Sequence, residues 1–537
     1  MRRLRLALIS LSSLSLGLAC TDDGGGDAAD EIGSESDSDS GSSSESSSTD
    51  STSSSSSSDS TDTSSTDTDS TGTDSTGSDS TGSDSSDSTD TGGDPPLCVP
   101  ESFVYAPPAT QVDGLSAVPI DILSLEASMS FDLLGKQAHA EVMVEFQMGE
   151  LGGMPIFDLR QQIAEAELDG QSISPTLIQS HDFGKGMVHG FRVLAAELDP
   201  CTVHTLWLSY PLNLPSAPLS GGLEWLANDT LYYDTWLSDL YAGRYLESWL
   251  PANMPWDTYP LSLGLTLTDA GAPHTLISNA AVDEMGEHDW QLEFPSTMRA
   301  MSPLVIVVPS EDVIFVSGTH PSNGQDIPYT LYRHDTVGTG IATLEATLLG
   351  SFDQFTLGTG EFLHPSFTGF IGANARSMEY DGAFTTKVPD ISHEAFHSWW
   401  ARGVHPATYA DGWIDEAWDM YNTTQGQSFT VEPFNWNDPT AVLYDAHPFA
   451  RITPLNSYDH GRRVFAGLAA LMGVDGLRMA MAELYAAIGL EGALTTAALE
   501  RHLYCVGGED PQIRQAFWRF VYGQGGNAPA PDMNYCG

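Results

Sequence analysis

Hydrophobic spacing changes once along this chain, and that change limits the folds open to it. From about residue 96 to 320, apolar and polar side chains largely alternate, as in Ser128-Met-Ser-Phe-Asp-Leu-Leu-Gly135 and Ala140-Glu-Val-Met-Val-Glu-Phe-Gln147. A period of two gives each strand one apolar face, so this stretch predicts a β-sandwich-like domain. Residues 204–210, 261–268 and 304–309 repeat the signal. Past about 325 the period lengthens. Helices are predicted over 344–355, 461–487, 497–504 and 512–521, with a strand pattern around 367–372. Strands first, then mixed strands and helices, imply an α+β multidomain chain. The expected division is a β-domain over 96–322 and an α/β-plus-helical domain over 323–537.

The N-terminal fifth obeys neither period. Residues 20–95 are almost wholly Ser, Asp, Thr and Gly, with 20 acidic residues and no basic ones. Such a segment cannot bury enough apolar surface to offset its ordering entropy and is expected to be a disordered linker. The rest of the chain is also acidic. About 53 Asp and Glu face 17 Lys and Arg outside the linker and the N-terminal tip, which argues against nucleic acid as a partner, since phosphate contacts need cations. Residues 1–19 open with Arg2, Arg3 and Arg5 and continue as an apolar run too short to span a bilayer, the pattern of a secretory signal peptide. The run ends in Leu16-Gly-Leu-Ala-Cys20, which resembles the lipobox of bacterial lipoproteins, with Gly17 where Leu is usual. That resemblance implies cleavage before Cys20, a lipid on its sulfur, and attachment to a membrane, at the outer membrane or surface of a bacterium. Four cysteines then remain, Cys98, Cys201, Cys505 and Cys536. An even number in an exported chain suggests two disulfides, with Cys98–Cys201 and Cys505–Cys536 favoured because each stays within one domain.

The second half carries His393-Glu394-Ala395-Phe396-His397. On a helix, residues four apart share one face, so the two imidazoles can hold one metal ion, with Glu394 beside it to take a proton from water. Asp390 is placed to cap that helix. A catalytic zinc site needs a third protein ligand and one open position. Glu416 offers that ligand, with 18 residues between it and His397. The pentad alone would also fit an ordinary amphipathic helix with two hydrogen-bonded histidines; the downstream Glu on a second helical pattern favours one zinc ion per chain.

Several separate stretches resemble the aminopeptidase N (alanyl aminopeptidase) family of gluzincin zinc metallopeptidases, which also includes leukotriene hydrolases. They are His393-Glu-Ala-Phe-His-Ser-Trp399, Asp411-Gly-Trp-Ile-Asp-Glu416, Ser377-Met-Glu-Tyr380 and Ser457-Tyr-Asp-His-Gly461. In the β-domain, Leu276-Ile-Ser-Asn279 and Thr297-Met-Arg-Ala-Met-Ser302 are similar to family strands. The resemblance implies a saddle-like β-domain followed by a thermolysin-like catalytic domain. It implies that His393, His397 and Glu416 bind zinc, Glu394 is the general base, and Tyr458 donates to the oxyanion. Glu379 would pair with the free α-ammonium group of a peptide, making the chain an aminopeptidase acting on peptides with a free N-terminus. A zinc endopeptidase or other hydrolase on the same scaffold is the alternative, with Glu379 idle. A catalytically silent binding protein would be expected to lack a ligand or the base, and none is lacking. Four positions depart from the family pattern: Ala417 replaces Gly, Asp415 and Arg402 replace Asn, and His460 replaces Lys. Only 13 residues separate Glu379 from His393, fewer than is usual in the family.

Overall fold

The computed structural model describes residues 106–536, apart from 113, 182–190, 214–221, 239–243, 323, 425–428, 446–452 and 491. The expected signal peptide and linker, Cys20 and Cys98 lie outside the described residues. The N-terminal region is β-rich and the C-terminal region mixed and then helical, the α+β multidomain class that the spacing implies.

Three sheets build the β-region. The largest has eight strands and centres on Ile120–Asp132, Gln137–Met148 and Leu261–Thr268. All its pairings are antiparallel except that of Ile120–Asp132 with Leu261–Thr268. Alternation explains which face is buried. Leu261, Leu263, Leu265 and Leu267 point into the core, while the residues between them are partly exposed.

Val305–Pro309 behaves differently, because every one of its residues is buried. It runs between Leu231–Asp234 and His274–Ser278 in a four-stranded sheet. Val305 and Val307 pack into the β-region core, while Ile306 and Val308 pack with Phe370, Met378 and Tyr380 of the following region. One continuous apolar strand therefore joins the two cores, and it needs apolar residues on both faces.

The sheet of the following region has five strands in the order Val313–Ser322, Gln325–His334, Phe367–Ile371, Ala383–Thr386 and Met378–Tyr380. It opens at Val313, ahead of 323, because the first two strands form one hairpin. Met378–Tyr380 lies at its edge with Glu379 opposite Phe384. The turn between them depends on Gly382, whose φ is +62° and where a Cβ would meet the Ser366 carbonyl at 2.6 Å.

Seven helices follow or flank this sheet among the described residues: α1 (Ile341–Gly358), α2 (Ile391–Phe396), α3 (Trp413–Thr423), α4 (Asp459–Met472), α5 (Val474–Ile488), α6 (Thr496–Val506) and α7 (Pro511–Phe520). The single helix expected over 461–487 is two, meeting at 112°. Gly473 breaks it with φ +78°, a conformation that a side chain would strain. Cys505 pairs with Cys536 across a Cα separation of 5.5 Å, tying the end of α6 to the C-terminal tail. Cys201 is also disulfide-bonded.

α3 and α4 cross at unusually close range. A Cβ on Gly461 would lie 2.4 Å from the Cβ of Ala417. The methyl group that Ala417 adds beside Glu416 thus occupies the space that Gly461 leaves empty, and the residues preceding α4 can approach α3. Replacing Gly461 by Ala is expected to cost about 1–3 kcal/mol through overpacking. Chemical denaturation would measure the loss, and Ala417→Gly in the same chain should restore most of it.

Candidate metal centre

α2 and α3 bring the predicted ligands together. His393 lies within α2 and His397 at its C-cap, with ring centroids 4.9 Å apart and planes nearly perpendicular. Glu416 sits in the first turn of α3, where the amide dipoles favour a carboxylate. Its Oε2 is 3.5 Å from His393 Nε2 and 3.9 Å from His397 Nε2. Ligand atoms about 2.0–2.1 Å from a tetrahedral centre stand roughly 3.3–3.4 Å apart, so the set fits zinc. Glu416 Oε2 and His397 Nε2 are buried and make no hydrogen bond, as expected of atoms that a cation would satisfy.

Behind each imidazole stands a carboxylate. His393 Nδ1 is 2.6 Å from Asp419 Oδ1, and His397 Nδ1 is 2.5 Å from Asp415 Oδ1. Thr423 donates to Asp419 Oδ1 at 2.5 Å and fixes that oxygen. Such partners hold a ring's orientation and raise its basicity. Burial disfavours a charged imidazole here, but Asp419 overrides it and holds both histidines well above their ordinary range, with Asp415 adding to the effect at His397. Burial also opposes a charged Glu416, yet the adjacent His393 and His397 imidazoles, with the Tyr458 hydroxyl, pull it down to about 2.

Asp419 and the pairing role of Asp415 are what the sequence analysis misses. The usable signal was spacing: Asp419 is three residues after Glu416, hence on the same face of α3. Asp390 corrects an expectation. It stands at the N-cap of α2, but its carboxylate makes no cap and accepts instead from Ser377 Oγ at 2.7 Å. It therefore ties the strand carrying Glu379 to the helix carrying His393 across their short connection.

Glu394 is 3 % exposed, and its Oε2 has no hydrogen-bond partner. Burial, reinforced by the negative charge of Glu379 and opposed by the two histidines, holds its pKa well above the ordinary carboxylate range. A carboxylate shifted in this direction is a stronger proton acceptor than a solvated one. Tyr458 stands at the start of α4 and donates to Glu416 Oε1 at 2.7 Å, which places its hydroxyl at the site's edge.

Glu379 is buried as well, and it is paired. Arg402 Nη2 donates to Glu379 Oε1, and Arg402 Nη1 is 3.6 Å from Asp415 Oδ2. Glu379, His397 and Asp415 also form a compact group of potential ligands, but the guanidinium between the two carboxylates disfavours a second cation there. His405 faces the Pro406 carbonyl and stacks on Trp256, and His460 donates to the Phe520 carbonyl, so neither joins the ligand set. Trp399, Trp413 and Trp418 are core residues.

Because both imidazoles hold protons in the absence of metal, zinc binding must release them, and affinity should rise with pH. Asp419→Asn is expected to weaken zinc binding about 10–100-fold. Competition titration against a chelator at several pH values reads both effects, and equal affinity of the two proteins would remove Asp419 from the role.

No family model matches the sequence, and no curated protein sequence matches it. Solved structures do. A variant of the M1 zinc metallopeptidase from Deinococcus radiodurans bound to a Tyr-Ser-Ala substrate is 15 % identical, with a TM-score of 0.54 over 77 % of this chain and 96 % of the other. Legionella pneumophila aminopeptidase A in complex with aspartic acid gives 10 % identity and 0.58 over 75 % of this chain and 49 % of that one. Native yeast LTA4 hydrolase gives 13 % and 0.54 over 77 % and 69 %. At such identities the likeness is one of fold, and the described residues carry the fold of the two-domain M1 zinc metallopeptidases.

Proposed function

We propose that this chain is a zinc-dependent peptidase that removes N-terminal residues from peptides, exported and tethered to a membrane through a lipid on Cys20. The observation that carries the catalytic part is the convergence of His393, His397 and Glu416 ligand atoms beside the buried carboxylate of Glu394. The fold shared with M1 zinc metallopeptidases supports it.

When bound there, zinc supplies Lewis acidity, lowering the pKa of water and polarising a carbonyl. Glu394 takes the proton of the attacking water and passes it to the departing amine; its raised pKa suits both transfers. Tyr458 exchanges its hydrogen bond to Glu416 for one to the oxygen that becomes negative in the transition state. Asp415 and Asp419 keep the imidazoles oriented through these changes. Glu379 offers a carboxylate to the substrate's amino group. Its pairing with Arg402 favours a second reading, in which the same scaffold cleaves peptides without requiring a free N-terminus.

Glu394→Gln should retain zinc while lowering kcat on aminoacyl arylamides and short peptides by about 10²–10⁴-fold. Metal analysis beside steady-state kinetics, with and without chelator, tests this, and an unchanged rate would sink the peptidase reading. For the tether, Cys20→Ser should move the protein from the detergent phase to the aqueous phase on partitioning of cell extracts.

A further inference from the structure

Arg402 is fully buried, and its guanidinium occupies the place where the charge of Glu379 would otherwise act. Its position is over-determined. Nη1 also donates to the Ala401 carbonyl at 3.3 Å, the group lies 5.2 Å from the Trp256 ring, and the Arg402 carbonyl accepts from Arg299 Nη1. Glu379 is equally fixed, by its strand pairing with Ala383–Thr386. Glu379 and Arg402 thus form a charge pair that neither partner is free to leave.

We infer that Arg402 is a specificity-determining residue that relaxes the requirement for a free N-terminus, so that peptides with blocked or extended N-termini are accepted beside those with a free α-amine. The inference rests on reading Glu379 as the group facing the substrate's N-terminus. An ammonium arriving at Glu379 meets a carboxylate already neutralised and a guanidinium of its own sign at hydrogen-bonding distance from that carboxylate. In a buried site the attraction and the repulsion are of similar size and largely cancel. A neutral amide avoids both and pays no ammonium desolvation. Asp415 does not restore the attraction, because it is engaged with His397 and Arg402.

The charge-conserving variant R402N/D415N tests this. It removes one positive and one negative charge together and leaves Glu379 without its guanidinium. In the zinc-loaded full-length protein, calorimetric binding of L-leucinamide and N-acetyl-L-leucinamide is measured with kcat/KM for a matched free and N-acetylated peptide pair. The natural chain should distinguish the members of each pair by less than about tenfold, and R402N/D415N should shift both ratios toward the free amine by about tenfold or more. Glu379→Gln in the natural background should move the ratios by less than about threefold, and in the R402N/D415N background it should cancel the gain. A natural chain that already prefers the free amine by about a hundredfold or more would overturn the inference, as would a folded, zinc-loaded R402N/D415N protein with unchanged ratios. If R402N/D415N does not fold, the natural chain and Glu379→Gln still decide. Absence of turnover in every protein would count against the peptidase reading, while the binding ratios would still report on Arg402.

Discussion

Burial of charge is the constraint on which this structure turns. Glu379, Glu394, His397, Asp415, Glu416 and Arg402 are almost entirely out of water, and Asp419 is fully so. Moving an isolated ion of this kind into a protein interior costs several kcal/mol, recovered only when opposite charges and hydrogen bonds are well placed. The arrangement meets that cost by alternating sign: carboxylates behind both imidazoles, and a guanidinium between Glu379 and Asp415. Glu416 Oε2 and His397 Nε2 face one another 3.9 Å apart and are buried without a hydrogen bond, as atoms of a candidate cation site would be.

The β-region takes part in this balance. Asp381, two residues after Glu379, accepts from the Arg299 guanidinium at 3.3 Å and from Ser302 Oγ at 2.6 Å, while Asn279 donates to its carbonyl at 2.9 Å. Burial would raise Asp381, but Arg299 outweighs it and holds its carboxyl below the usual range. The strand carrying Glu379 is therefore positioned by residues about 80 to 100 places earlier, and the apolar strand Val305–Pro309 welds the two cores at the same level. Asn279, Arg299 and Ser302 come from the two β-domain stretches singled out in the sequence, and this contact gives them a physical task.

Much of this was legible beforehand for reasons that can be named. The strands of the large sheet announce themselves by strict alternation, as at Leu261–Thr268. The His393–His397 spacing and its distance to Glu416 are properties of the chain itself, and packing of α2 against α3 brings their atoms together. Other features escaped because their signal is weak or non-local. The apolar helical pattern over 461–487 runs through Gly473 without interruption, yet Gly473 splits α4 from α5. Asp390 looked like a cap because short polar residues favour that position, but Ser377 competed for its carboxylate. Asp419 carries no motif signal of its own, and only the packing of α2 against α3 brings it to His393 Nδ1.

By itself, then, the sequence determined the order of strands and helices, the identity and spacing of the candidate metal ligands, and the residue types available for acid–base work. These follow from local periodicity and from the fixed geometry of a helix turn. The tertiary structure alone decided who neutralises whom. Arg402 reaches Glu379 across 23 residues of chain, Tyr458 reaches Glu416 across 42, and Gly461 makes room for Ala417 where α3 and α4 cross. Such pairings depend on how loops close and layers stack. A buried charge accepts whichever opposite partner the packing delivers, and the spacing of residues along the chain does not encode that choice.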